Sequence, residues 1–167
     1  PQPTVDSHLD NIELTQNDVQ DILLSLNVKK STGPDRIGNN FLKLCASKIS
    51  LPLTAIYNKS LSVGVFPALW KKAAVTPLHK KDSVNECCNY RPVALTSCVS
   101  KVFERSVHKY LFNYFRDNDL ITKLQSGFMP GDSTGYQLLD MYNFVSNALD
   151  KGKEVRAVFC DISKAFD

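Results

Sequence analysis

Residues 155–167 read "VRAVFCDISKAFD", an apolar run that closes on a carboxylate. Val155, Ala157 and Phe159 alternate to one side, and Val158, Cys160 and Ile162 to the other. Only Arg156 interrupts the second side, near its start. Apolar residues on both sides predict a central strand covered on two faces. An ionised carboxylate at the end of such a strand is costly unless a cation, a donor cluster or water meets it. The residues alone leave two roles open for Asp161. It caps the turn that follows, or it holds a hard divalent cation, since Mg²⁺ favours one or two carboxylates completed by substrate phosphate oxygens. In "DISKAFD" the backbone N–H groups from Ile162 to Ala165 can cradle a triphosphate, with Phe166 a flat wall against its sugar.

Upstream of this run the chain alternates helical patterns with turn signals. "PQPTVDSHLDNI" has no periodicity and reads as a linker over residues 1–12. "LTQNDVQDILLSL" predicts an amphipathic helix capped by Thr15 with Asp18 three residues on, its face made by Val19, Ile22, Leu23 and Leu26. Gly33-Pro34-Asp35 marks a turn. "NFLKLCASKISLPLTAIYNKSL" resumes a helical pattern that is expected to break or kink near Pro52. "KAAVTPLHKK" reads as an edge strand that tolerates Pro77, and "VALTS" as a short second strand. "SKVFERSVHKYLFNYFRD" predicts a helix whose buried stripe is Val99, Val102, Phe103, Val107, Tyr110, Leu111 and Tyr114. A last helix is expected from about Thr134 to Leu149, capped by Asp132 or Ser133. Helix-rich with few strands, the pattern is α/β or α+β.

The 167 residues suit one domain with a real core, since 43% are hydrophobic. No apolar run is long enough for a membrane span and no secretory signal opens the chain. Five scattered cysteines, without a C-x-x-C pair, fit free thiols in a reducing, intracellular setting. The net charge of +3 is unevenly spread, with eight basic against three acidic side chains over residues 70–109. That segment, followed by an acidic end, suggests a polyanion held near carboxylates that could bind cations.

Four blocks together resemble the reverse transcriptases of LINE-type (non-LTR) retrotransposons. "FCDISKAFD" looks like their first catalytic-aspartate block. "KKSTGPDRIGNNFLK" is similar to their Gly-Pro-Asp-Gly-Ile-Pro segment, with Arg36 and Gly38 where the family favours Gly and Pro. "GVFPALWKKAAVTPLHKKDSVNECCNYRPVALTSCVSKVFERSV" resembles their fingers block. "LQSGFMPGDSTGYQLL" resembles their Gln-x-Gly-Phe loop, with Met129 and Asp132 where basic residues are common. The blocks arrive in the family's order and span roughly residues 13–167.

The resemblance implies a partial right-hand polymerase fold, with fingers and the beginning of the palm over residues 13–167. Asp161 is implied as the first metal-binding aspartate and Ile162 as a second ligand through its carbonyl, for Mg²⁺ or Mn²⁺. Lys80 and Arg91 match the fingers cations on the incoming triphosphate, while Ser163, Lys164, Ala165 and Phe166 complete the nucleotide site. Lys81 competes with Lys80 for its role, and Asp167 is read as a structural or capping carboxylate. An RNA template, a DNA primer and dNTPs are the implied partners, with no protein partner deducible and a nuclear stage implied by the family only. A two-metal site needs more than one carboxylate. No Tyr-x-Asp-Asp occurs in these residues, so the chain is expected to be truncated before that block and inactive alone. The alternatives are a non-catalytic RNA-binding remnant or an inactive relic.

Overall fold

A computed structural model describes residues 8–9 and 11–162. Two compact units are formed, Pro1–Leu120 and Ile121–Asp167. The first holds helices α1 (Gln16–Ser25), α2 (Asn39–Leu44), α3 (Ala46–Val63) and α4 (Cys98–Asp117), and strands β1 (Ala73–His79) and β2 (Tyr90–Thr96). The second holds α5 (Thr134–Asp150).

α1 starts as its sequence dictates. The Thr15 hydroxyl accepts from the Asp18 N–H, and the Asp18 carboxylate accepts from the Thr15 N–H, a reciprocal capping box. Its apolar face then meets α2, α3 and α4. Val19 and Leu23 are fully buried and Leu26 nearly so, each contributing about 1.5–3 kcal/mol of transfer free energy. The entry of α1 is pinned to α3 by one amide: Asn58 accepts from the Leu14 N–H and donates to the Leu14 carbonyl, both at 2.9 Å.

α3 and α4 meet through aromatic rings. Tyr57 stacks on Phe103 with centroids 4.9 Å apart and meets Trp70 edge-on at 5.6 Å, while Phe66 adds a second stack on Phe103. The Tyr57 hydroxyl, inside this cluster, donates to the Val99 carbonyl at 2.9 Å. Burial pushes that phenol well above its ordinary range. The stripe expected on α4 is core over its first part: Val99, Val102 and Phe103 are buried and Val107 and Tyr110 pack against them, while Leu111 and Tyr114 are half-buried outside that cluster.

β1 and β2 form an antiparallel ribbon that pairs Ala73 with Thr96 and His79 with Tyr90. The Lys80 N–H bonds the Asn89 carbonyl at 2.8 Å, which makes the pair beyond His79–Tyr90 a hydrogen-bonded one. Alternation then puts Pro77 opposite Pro92 at a non-hydrogen-bonded pair, where each residue's N–H position points to the outer edge. Neither proline removes a ladder bond, and each deprives one free edge of a donor. All of β1 and most of β2 are exposed.

Two expectations are corrected. The 39–63 segment breaks at Cys45, not at Pro52, which lies inside α3. Cys45 leaves helical geometry (φ −90°, ψ 4°) while its carbonyl accepts from Lys48 and Ile49 at the start of α3. Residues 153–162 form no strand; Val158, Phe159 and Ile162 are 86%, 85% and 78% exposed. A strand is made by its neighbours' hydrogen bonds and the layers on its faces. The β1–β2 ribbon is the sole sheet among the described residues, and residues 153–162 are not part of it.

Candidate nucleotide-binding hairpin and carboxylate

The ribbon register places Arg91 opposite Leu78, and Lys80 opposite Asn89 by the next hydrogen bond. Arg91 thus stands within β2, while Lys80 follows the last residue of β1 and is tied to the tip through its own N–H. Both are exposed. Tyr90 points to the face opposite that of Arg91, where its ring meets His79 at 5.3 Å. Lys81 is drawn to Asp82, 3.8 Å away.

The tip between the strands is built, not slack. Asn89 donates to the Ser83 carbonyl at 2.8 Å and the Tyr90 hydroxyl to the Val84 carbonyl at 2.9 Å. Asp82 takes a left-handed conformation (φ 62°), and its carbonyl meets the His79 ring at 3.1 Å.

At the ribbon's base the Gly33-Pro34-Asp35 turn grips the β2–α4 junction, a role that reading it as a turn does not reveal. A Cβ at Gly33 would stand 2.6 Å from the Ser97 nitrogen and 2.7 Å from the Thr96 oxygen. Asp35 uses both oxygens: one accepts from the Ile37 N–H at 3.2 Å, the other from the Ser97 hydroxyl at 2.5 Å. That hydroxyl also caps α4, accepting from Val99 and Ser100. The Cys98 thiol adds a weak bond to the Ser31 carbonyl at 3.8 Å. The signal in the sequence is the turn tripeptide itself, but its target lies 62 residues away.

A second node missed from the sequence joins α1 to α4. The Asp18 carboxylate accepts from Lys109 at 2.7 Å and from the Tyr110 hydroxyl at 2.9 Å, besides Thr15. Burial works to raise its pKa, yet the bonds from Lys109, Thr15 and Tyr110 outweigh burial and hold it well below the usual carboxylate range. Lys109 is raised in return by its bond to Asp18.

Asp161 and Ile162 lie in the second unit, exposed and in neither helix nor strand. Ser163, Lys164, Ala165, Phe166 and Asp167 fall outside the described residues. Among the described residues no three His, Cys, Asp or Glu side chains come together. One exposed carboxylate and one carbonyl do not fit a pair of hard divalent cations.

Comparison with curated proteins finds polymerases of mobile elements among the relatives of this chain. The chain is 34% identical over 151 residues to a probable RNA-directed DNA polymerase from transposon BS of Drosophila melanogaster, covering 90% of this chain and 17% of that protein. It is 30% identical over 155 residues to the RNA-directed DNA polymerase from mobile element jockey of the same species, with 92% and 17% covered. A probable RNA-directed DNA polymerase from transposon X-element is 28% identical over 151 residues. No family model matches. The likeness to reverse transcriptases of LINE-type elements is thus borne out over nine-tenths of the chain. The chain spans about 17% of the length of these relatives.

Proposed function

We propose that this chain forms the fingers and the start of the palm of a LINE-type reverse transcriptase, an RNA-directed DNA polymerase with a right-hand fold. Residues 13–167 are the polymerase part and residues 1–12 a connector. The similarity at 34% identity over 90% of the chain carries the reading, and the exposed positions of Lys80 and Arg91 at the ribbon support it. Arg91 offers a planar fork to phosphate oxygens of a dNTP, and Lys80 a movable point charge. Asp161, Ile162 and the segment Ser163–Phe166 belong to the same nucleotide site in this reading, beside an RNA template and a DNA primer. Mg²⁺ or Mn²⁺ would supply charge neutralisation for phosphoryl transfer. The described residues provide one carboxylate toward it, so no catalytic step is assigned to them. A nuclear stage follows from the family reading alone. No helix among the described residues is long and apolar enough to cross a membrane.

The test is templated dNTP incorporation together with triphosphate binding. The purified chain is expected to incorporate no dNTP, and to bind inorganic triphosphate in a manner weakened about tenfold or more by Arg91→Ala, as for loss of a charge-assisted pair. Incorporation abolished by Asp161→Ala would overturn the first expectation, and indifference to Arg91→Ala the second. The eight basic residues between 70 and 109 favour one further reading, an RNA-holding module without chemistry. It calls for RNA binding that falls steeply with salt and ignores Asp161→Ala.

A further inference from the structure

We propose that Asp35 is a positioning residue for the triphosphate grip, acting through Ser97 to fix the attitude of the β1–β2 ribbon against the helical core. This rests on the reading of Lys80 and Arg91 as phosphate-binding cations.

The ribbon has few other ties. β1 is exposed throughout and β2 from Arg91 to Ala94, and the paired prolines blunt both edges. Its attitude is set at two roots. Before β1, Trp70 is fixed among Tyr57, Phe66 and Phe103. After β2, the root is Thr96–Ser97, against which Gly33 packs backbone to backbone. Ser97 is 1% exposed, and its hydroxyl is committed on both sides, donating to Asp35 and accepting from the first turn of α4. Asp35 is itself held by the Ile37 N–H, so the carboxylate is a rigid strut between turn and root.

Leverage makes this root matter. Arg91 stands six residues from Ser97, roughly 20 Å of strand at ~3.3 Å per residue, so a ~10° tilt at the root carries it about 3.5 Å. Displacements of that order remove a bidentate phosphate contact, because positioned groups lose their effect within about 1 Å. The strut costs the core little and governs a distant pair of cations.

The experiment uses the whole chain, with ¹⁵N relaxation of ribbon and helix amides and calorimetric titration with inorganic triphosphate. Asp35→Ala is expected to raise the mobility of amides 74–95 relative to α1, α3 and α4, and to weaken triphosphate binding about tenfold, one hydrogen bond to a charged group. Asp35→Asn, which keeps a hydrogen bond to the Ser97 hydroxyl, is expected to restore ribbon order and most of the affinity. A general loss of stability would move the unfolding midpoint without changing ribbon order well below it. If the ribbon in Asp35→Ala stays as ordered as in the wild type, the strut is overturned. If it loosens but triphosphate binding is unchanged while Arg91→Ala abolishes it, positioning is overturned. Wild-type binding that is absent, or indifferent to Arg91→Ala, overturns the grip itself, and that failure shows in the Arg91 arm rather than in ribbon order.

Discussion

α4 and α5 carry the same kind of pattern, 20 and 17 residues with apolar side chains at helical spacing and a serine at each N-cap. Ser97 caps one and Ser133 the other. In α4 the first part of the stripe, Val99, Val102 and Phe103, is buried among α1 and the rings of Tyr57, Phe66 and Trp70. In α5 no residue is buried, and Leu138, Tyr142 and Phe144 are 61%, 67% and 70% exposed. The difference teaches that periodicity identifies a face and says nothing about its cover. A helix's caps and spacing mark where it starts and which face is apolar, whereas most of its stabilisation arrives only when that face meets a partner.

The sharpest way to break this contrast is to truncate both stripes. Phe103→Ala removes a ring stacked on Tyr57 and Phe66 and is expected to cost about 3–5 kcal/mol in urea unfolding. A loss under about 1 kcal/mol would mean that the α4 interface is not the core. Gly33→Ala comes next. Its methyl would press on backbone atoms at 2.6 Å, which cannot swing aside, and about 1–3 kcal/mol of destabilisation is expected.

A third measurement is pH-dependent and concerns the α1–α4 contact. Asp18 titrates lower in the folded chain than in the unfolded one. Its contribution is complete above the unfolded value near 3.9 and is lost as pH falls toward the folded value. Lys109 is displaced upward, so its share is complete below its unfolded value and lost as pH rises through the folded one. Asp18→Asn should flatten the acid arm of the stability curve, and an unchanged acid arm would show that the contact does not hold in solution. The smallest effect belongs to α5. Leu139→Ala, at a side chain 54% exposed, is expected within about 0.5 kcal/mol of wild type. A cost above about 2 kcal/mol would show that the α5 stripe is covered after all.

The candidate site divides in the same way. The reading of Lys80 and Arg91 as phosphate-seeking cations comes from the resemblance of "HKKD" and "NYRP" to a family. That Arg91 stands opposite Leu78 and Lys80 just past the end of β1 follows from the register. Asp161 was legible as a carboxylate after an apolar run, but the strand meant to present it does not form. The pattern recorded two faces in need of cover, and residues 153–162 join no sheet among the described residues. Asp35 and Ser97 were invisible as a pair, because nothing local marks a turn and a helix cap as partners.

The sequence by itself determined what is decided within a few residues: the Thr15–Asp18 box, the serine caps of α4 and α5, the stripe of α4 and a ribbon that tolerates proline. These depend on hydrogen bonds and spacings that close within one or two helical turns. Only the tertiary structure decided that Asp18 reaches Lys109 across 91 residues and that Asp35 holds Ser97 across 62. It also decided that α4 is covered while α5 and residues 153–162 are not. Such features depend on which segments meet, and that is set by the packing of the whole chain.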